Sequence, residues 1–179
     1  MSHLIPILAV DSQEPADGGF APHFSYPWIR KKLDTGDSSI CRAEQWVAVE
    51  RKTTDDLITC FTRERERFVR ELQRFQAIPH RWIIVEGSYR DLLRGKYISR
   101  MKPKSAWESC VALMVRYAVP CLMVGASSYT GAQLCQSLLL RWVREHHKRI
   151  SQVEAACREA IKAGVFESHG EGGGRPSAA

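Results

Sequence analysis

At 179 residues, 44% of them hydrophobic, the chain can bury one full core without disulfide or metal staples and fits a soluble globular domain. Lys and Arg outnumber Asp and Glu by 26 to 20, a formal net charge of +6 with a pI near 9.1, which suits a polyanionic partner without requiring one. Six cysteines lie scattered with no C-x-x-C pair, so a zinc site is not expected and a reducing compartment is the simpler reading.

From the N-terminus, Leu4 to Val10 reads as a strand rather than a signal peptide, because no basic leader precedes it and it runs straight into Asp11. Asp11 and Glu14 at its exit either border a site or form a polar strand end. Pro15 to Thr35, rich in Gly, Pro and aromatics, reads as a long loop whose rings either stack on unpaired bases or pin the loop to the core. Gly36 can release the chain from a turn and deliver Asp37 at the start of a strand over Ser38–Ala43. With a turn at Glu44–Gln45, that strand forms a hairpin with Trp46–Lys52.

The second strand of this hairpin is the most informative stretch. Val47-Ala48-Val49 is core-like, yet Glu50-Arg51-Lys52 follows at once, and burying such charges is costly unless they pair or hold an ion. Strand alternation puts Glu50 and Lys52 on one face and Arg51 on the other. An acid and a base aimed at one point suit phosphodiester hydrolysis: carboxylates hold a divalent metal, and a lysine orients water or offsets developing charge. Asp37 is the upstream candidate for the second acid that magnesium needs.

Thr54 to Ala77 reads as the longest helix, with Leu57, Phe61, Phe68, Leu72 and Phe75 as its buried stripe. Thr53 or Thr54 can cap it, and Asp55 and Asp56 then sit in the first turn, where the dipole favours them; that accounts for both acids without a metal. Arg63, Arg67, Arg70 and Arg74 recur at helical spacing and form either a phosphate-binding stripe or a solvated face paired to Glu64, Glu66 and Glu71. Arg81 to Glu86 is a core strand, Ser88 caps a short helix through Leu93, and Arg94 to Lys104 is a basic, turn-rich segment that is either solvated or a second DNA-facing edge. A further amphipathic helix carries Trp107 and Cys110, and a short strand spans Pro120–Val124. The uncharged stretch Tyr117–Leu140 is broken by Pro120, Gly125, Gln133 and Gln136, so it is not read as a membrane span. Helices are expected over Ser128–His147 and Ser151–Ala163.

Gly36-Asp37, a gap, and Glu50-Arg51-Lys52-Thr53-Thr54-Asp55-Asp56 resemble the GD…ERKxxxD signature of the XPF-type nuclease domain family. Val10-Asp11-Ser12-Gln13-Glu14 is similar to that family's VDxRE block, with Gln13 where many members carry Arg, and Ile84-Val85-Glu86-Gly87 fits a later strand end. Ser38 stands where an aromatic commonly follows GD. The resemblance implies a catalytic set of Asp37, Glu50, Lys52, Arg51 and Asp56, metal ligation by Asp11, Asp37 and Glu50, and Mg2+ as cofactor with Mn2+ able to substitute. It also implies a three-layer α/β domain with a central mixed sheet, the restriction-nuclease-like fold. The arginines at 63, 67, 70 and 74 are the expected DNA contacts.

The corresponding expectation is a metal-dependent endonuclease selective for branched or flap DNA, or alternatively an inactive nuclease-like scaffold. Residues 1–150 would form the nuclease domain, 151–165 a helix and 166–179 a disordered tail. Too few residues follow Arg149 for the helix-hairpin-helix module of many XPF-type proteins, so a stand-alone bacterial or phage form is expected, cytoplasmic and nucleoid-associated. It would act alone, as a homodimer or with another partner, and not on a membrane.

Overall fold

A computed structural model describes residues 5–15 and 19–162; the tail expected beyond them, and the helix end at Ala163–Gly164, lie outside the described residues. Six strands form one mixed sheet: β1 (Leu8–Asp11), β2 (Trp28–Lys31), β3 (Ser38–Ile40), β4 (Val47–Thr53), β5 (His80–Glu86) and β6 (Cys121–Met123). Their order is β2-β1-β3-β4-β5-β6. β1 pairs parallel to β2 and antiparallel to β3, β3 pairs antiparallel to β4, and β4, β5 and β6 run parallel. The helices are α1 (Thr54–Phe61), α2 (Arg65–Phe75), α3 (Tyr89–Leu93), α4 (Pro103–Tyr117) and α5 (Ser128–Lys162).

Alternation along the central strands makes two cores. Ala48, Ile83 and Val85 face one way, against Leu57, Phe61, Phe68, Leu72, Cys110 and Leu113 of α1, α2 and α4. Val47, Val49 and Ile84 face the other way, against Phe20 and against Ala132, Cys135 and Leu139 of α5. The result is the expected three-layer α/β sandwich, and each fully buried Leu or Ile contributes about 1.5–3 kcal/mol to it. Both faces are covered at Val47–Val49 of β4 and at Ile83–Val85 of β5, which is why those segments read as continuous apolar runs.

Three expectations need correction. The loop from Pro15 to Thr35 contains a strand, β2, added parallel to β1; its residues are mostly exposed at the sheet edge, so no burial pattern marks it. The helix expected over Thr54–Ala77 is two helices. Its backbone breaks at Thr62–Glu64, where the Thr62 and Glu64 amides both turn back to the Thr59 carbonyl and Thr62 Oγ1 donates to the Ile58 carbonyl at 2.8 Å. The two C-terminal helices are one, α5, assigned through Ser128–Lys162, because 148–150 offers no Gly or Pro to stop it.

The aromatic loop is pinned from α5. Buried Gln136 accepts the Ser25 and Tyr26 amides at 2.8 and 3.2 Å and donates to Ser25 Oγ, while Gln133 donates to the His23 carbonyl. Two of the polar residues that argue against a membrane span thus hold the loop in place, and among the described residues no helix is long and apolar enough to cross a membrane. The chain divides into two compact units at Val143 and Arg144. In the second, the described residues 144–162 are helical and mostly exposed, with Arg158 paired to Glu154 at 3.8 Å.

Gly36 takes φ +82°, and a Cβ there would stand 3.0 Å from the Ala48 side chain, so only glycine lets this turn press against β4. Gly125 has a similar φ of +78° but open space around it. Gly36→Ala should therefore cost about 2–3 kcal/mol in urea unfolding and Gly125→Ala about 1 kcal/mol. Equal costs would show that the contact with β4 carries no weight.

Candidate active site

The site forms where β4 leaves the core. The Asp37 amide donates to the Val49 carbonyl and its carbonyl accepts the Asp11 amide, each at 2.9 Å, so Asp37 is stitched between β1 and β4. Its Oδ2 accepts the Arg51 amide at 2.6 Å. Glu50, only 7% exposed, shares the face of Ala48 and points toward α2. Lys52 lies on the same face, bonded to Glu50 Oε1, 3.6 Å from Glu71 Oε1, and with its ammonium over the Phe68 ring. Arg51 takes the opposite face, over the Phe20 ring, with a two-pronged bond to Glu86 at 3.1 and 2.8 Å and Glu14 at 4.0 Å. The alternation read from sequence is thus realised: Glu50 and Lys52 to one side, Arg51 to the other.

Asp37, Glu50, Lys52 and Arg67 line two open, polar cavities of about 300 and 350 Å³. Glu14, Arg51 and Asp56 complete the first; Asp11, Lys32, Glu71 and Arg74 border the second. Burial pushes the Asp37 carboxyl up to about 7, against the Arg51 amide that lowers it, with Glu14 adding to the rise. Burial and the neighbouring Asp37 also hold Glu50 well above the usual carboxylate range. Burial disfavours the Lys52 ammonium, yet Glu50 and Glu71 outweigh it and raise its pKa, so Lys52 stays charged. Glu14 is raised too, by burial first, with Arg51 and Lys52 opposing.

The remaining expected residues divide. Asp11 borders the second cavity, but its Oδ1 accepts the Gln13 amide at 3.0 Å and its Oδ2 faces Lys32 at 3.5 Å. Asp56 is exposed on the cavity rim, and its Oδ2 caps Thr53 while the Thr53 hydroxyl accepts the Asp56 amide, so the helix-start account is realised. The arginine line is interrupted: Arg63 sits in the break between α1 and α2. Arg67, paired to Glu64, and Arg74 reach the acidic cavities, whereas Arg70 lines a neighbouring hollow with Arg63. Glu71 and Glu86 were not singled out by sequence as site acids. Glu86 carries the signal of a charge ending an apolar strand beside β4; Glu71, an acid within an arginine-rich face, gives none.

Among the described residues no group of three or more metal-ligating side chains converges as a closed metal site. Magnesium is commonly held by only one or two carboxylates together with water and substrate phosphates. Asp37 and Glu50 meet that requirement. Each carboxylate has about four acceptor positions, and the bonds named above use one or two of them. Asp37 adds to the rise of the Glu50 pKa, a like-charge repulsion that a cation would relieve.

Residues 10–137 match the ERCC4 domain family, and the chain belongs to that family. Its fold is also that of XPF from Aeropyrum pernix, with a TM-score of 0.59 and 23% identity over 75% of this chain and 60% of that one. A second structure, XPF from Aeropyrum pernix in complex with DNA, gives 0.62 and 22% over 78% and 66%. The chain spans less than two thirds of either. A search of curated proteins finds no match.

Because folded Asp37 keeps its proton to about pH 7 and the unfolded carboxyl releases it near 3.8, the folded state binds more protons between those values. Stability should fall as pH rises through that window. In chelator, the melting temperature of the parent should drop from pH 4 to pH 7, and Asp37→Asn should flatten the drop. A parent curve no steeper than that of the variant would contradict this electrostatic reading.

Proposed function

We propose that this chain is a divalent-metal-dependent DNA endonuclease that hydrolyses phosphodiester bonds, with branched or flap DNA as its preferred substrate and Mg2+, replaceable by Mn2+, as cofactor. The observation that carries this reading is a pair of carboxylates with raised pKa values, half-buried Asp37 and buried Glu50, beside a charged Lys52 in an open polar cavity. Family membership and the likeness to an XPF structure in complex with DNA support DNA as the substrate.

Asp37 and Glu50 would hold the cation. When bound, it supplies Lewis acidity at the phosphoryl oxygen and makes the attacking water more acidic. Lys52, fixed between Glu50 and Glu71, presents its ammonium toward the cavity to orient water and offset charge developing on the phosphoryl group. Arg51 touches no substrate in this scheme. It holds Glu86 and Glu14 in position, and its amide fixes Asp37. Arg67 and Arg74, at the mouth of the cavity, contact phosphates; Asp11 and Asp56 keep their local partners.

The second reading, a nuclease-like DNA-binding scaffold without turnover, draws on one observation: Lys52 already occupies a Glu50 oxygen, and among the described residues no third ligand converges. Substitution separates the two readings. Asp37→Asn and Glu50→Gln should abolish cleavage of a labelled flap while leaving its affinity in chelator unchanged or improved. Lys52→Ala should slow cleavage about a hundredfold or more and spare much of the metal binding. Asp56→Asn should cost about 1 kcal/mol of stability and leave the rate nearly intact. A parent that binds flaps but cleaves none of them with magnesium or manganese makes the scaffold reading the correct one.

DNA affinity should fall with salt. Arg67→Ala with Arg74→Ala should flatten the slope of log affinity against log salt by about one unit per arginine, and Arg63→Ala by less. A larger effect from Arg63 would place the nucleic acid on the opposite side of α2.

A further inference from the structure

Between α3 and α4 the chain makes a short excursion in which Ile98 is 90% exposed. An isoleucine held out in water has no role in this fold's cores, and its surroundings are not those of a slack loop. The Ile98 amide donates to Asp55 Oδ1 at 2.6 Å, the Tyr97 hydroxyl to the Met101 carbonyl at 2.8 Å, and the Ser99 amide to the Tyr97 carbonyl at 3.0 Å. Tyr97 and Met101 turn inward and pack on the core of α1, α2 and α4. Gly95, at φ +69°, turns the chain into the excursion. The backbone is therefore braced from both sides, and one aliphatic side chain is left at its tip.

The flanks of that tip are cationic. Arg94, Lys96, Arg100, Lys102 and Lys104 are all exposed, and no acid occurs from 94 to 104. Lys96 pairs with Asp91 at 3.0 Å. The brace also fixes where the tip stands. Asp55 is followed by Asp56, which lines the cavity holding Asp37, Glu50 and Lys52. One aspartate side chain and one Cα step of about 3.8 Å therefore put the Ile98 backbone on the order of 10 Å from the cavity rim. That is a few nucleotides of DNA at about 3.4 Å each.

Resting on the nuclease reading above, we infer that Ile98 is a wedge that enters an unstacked base step at a DNA branch point, while Arg100, Lys102 and Lys104 hold the flanking phosphates. An aliphatic wedge between base steps must offset the cost of unstacking, which is least where a branch has already opened the stack. A preorganised tip loses little entropy on insertion. Selectivity for branched over plain duplex DNA then arises from the difference in unstacking cost, and the cut falls a few nucleotides from the branch because Asp55 sets that spacing. The cationic flanks favour DNA over a protein as the occupant.

The test uses 2-aminopurine placed at the branch of a flap, in chelator so that no strand is cut. The parent should raise its fluorescence, reporting unstacking; Ile98→Ser should not, while binding plain duplex as tightly as the parent. With magnesium, Ile98→Ser should lose about tenfold in preference for flap over duplex and keep its duplex rate. Replacing Arg100 and Lys102 by alanine should flatten the salt slope by about two units. An Ile98→Ser protein that unstacks and discriminates like an active parent overturns the wedge and leaves the nuclease reading standing. If the variant instead changes only self-association or protein capture, the tip is a protein contact and the wedge is likewise overturned. A parent that binds no DNA of any shape removes the nuclease reading and the wedge with it.

Discussion

Two carboxylates, buried Glu50 and half-buried Asp37, share the cavities at the end of β4, and the rest of the site follows from what it takes to keep them there. An unpaired buried charge is costly, and a second one of like sign raises that cost. The chain offsets it locally: the Arg51 amide bonds Asp37, and Lys52 bonds Glu50 while facing Glu71. Arg51 in turn neutralises Glu86 and Glu14 on the other face of the sheet. The residual imbalance shows in the raised pKa values of Asp37, Glu50 and Glu14. A site relaxed for stability alone would have replaced one acid with an apolar residue. Under the proposed function, a bound cation would relieve this imbalance.

The fold supplies the precision that this electrostatics needs. Glu50 and Lys52 belong to a central strand of the sheet, paired on both sides by β3 and β5. Asp37 is delivered by a turn that only Gly36 can make against Ala48. Glu71 comes from α2, whose buried Phe68, Leu72 and Phe75 lock its rotation. Arg67 and Arg74 project from the same helix, and the Ile98 tip stands on an exposed excursion between α3 and α4.

Much of this was legible in the sequence because the strongest signals were local. Charge ending an apolar run located β4, period two assigned Glu50, Lys52 and Arg51 to their faces, and Thr53 with Asp56 spelled a helix start. Serine 88 likewise caps α3, accepting the Asp91 amide. What escaped depended on tertiary pairing. β2 is an exposed edge strand held by β1, and nothing in Trp28–Lys31 alternates. The break after Phe61 is invisible to periodicity, since Phe61 and Phe68 stand seven residues apart and keep the same face through it. Once broken, the helix no longer aligns Arg63 with Arg67 and Arg74. Glu71 looked like a solvated partner for arginines because its real partner, Lys52, is nineteen residues away in sequence.

The central claim is that Asp37 and Glu50 together hold a divalent cation. Crystals soaked in manganese and measured at its absorption edge test that most directly. The account requires an anomalous peak in ligand contact with both carboxylates, absent from Asp37→Asn crystals treated alike. A manganese peak confined to other acids, or none at a concentration that supports cleavage, would contradict it.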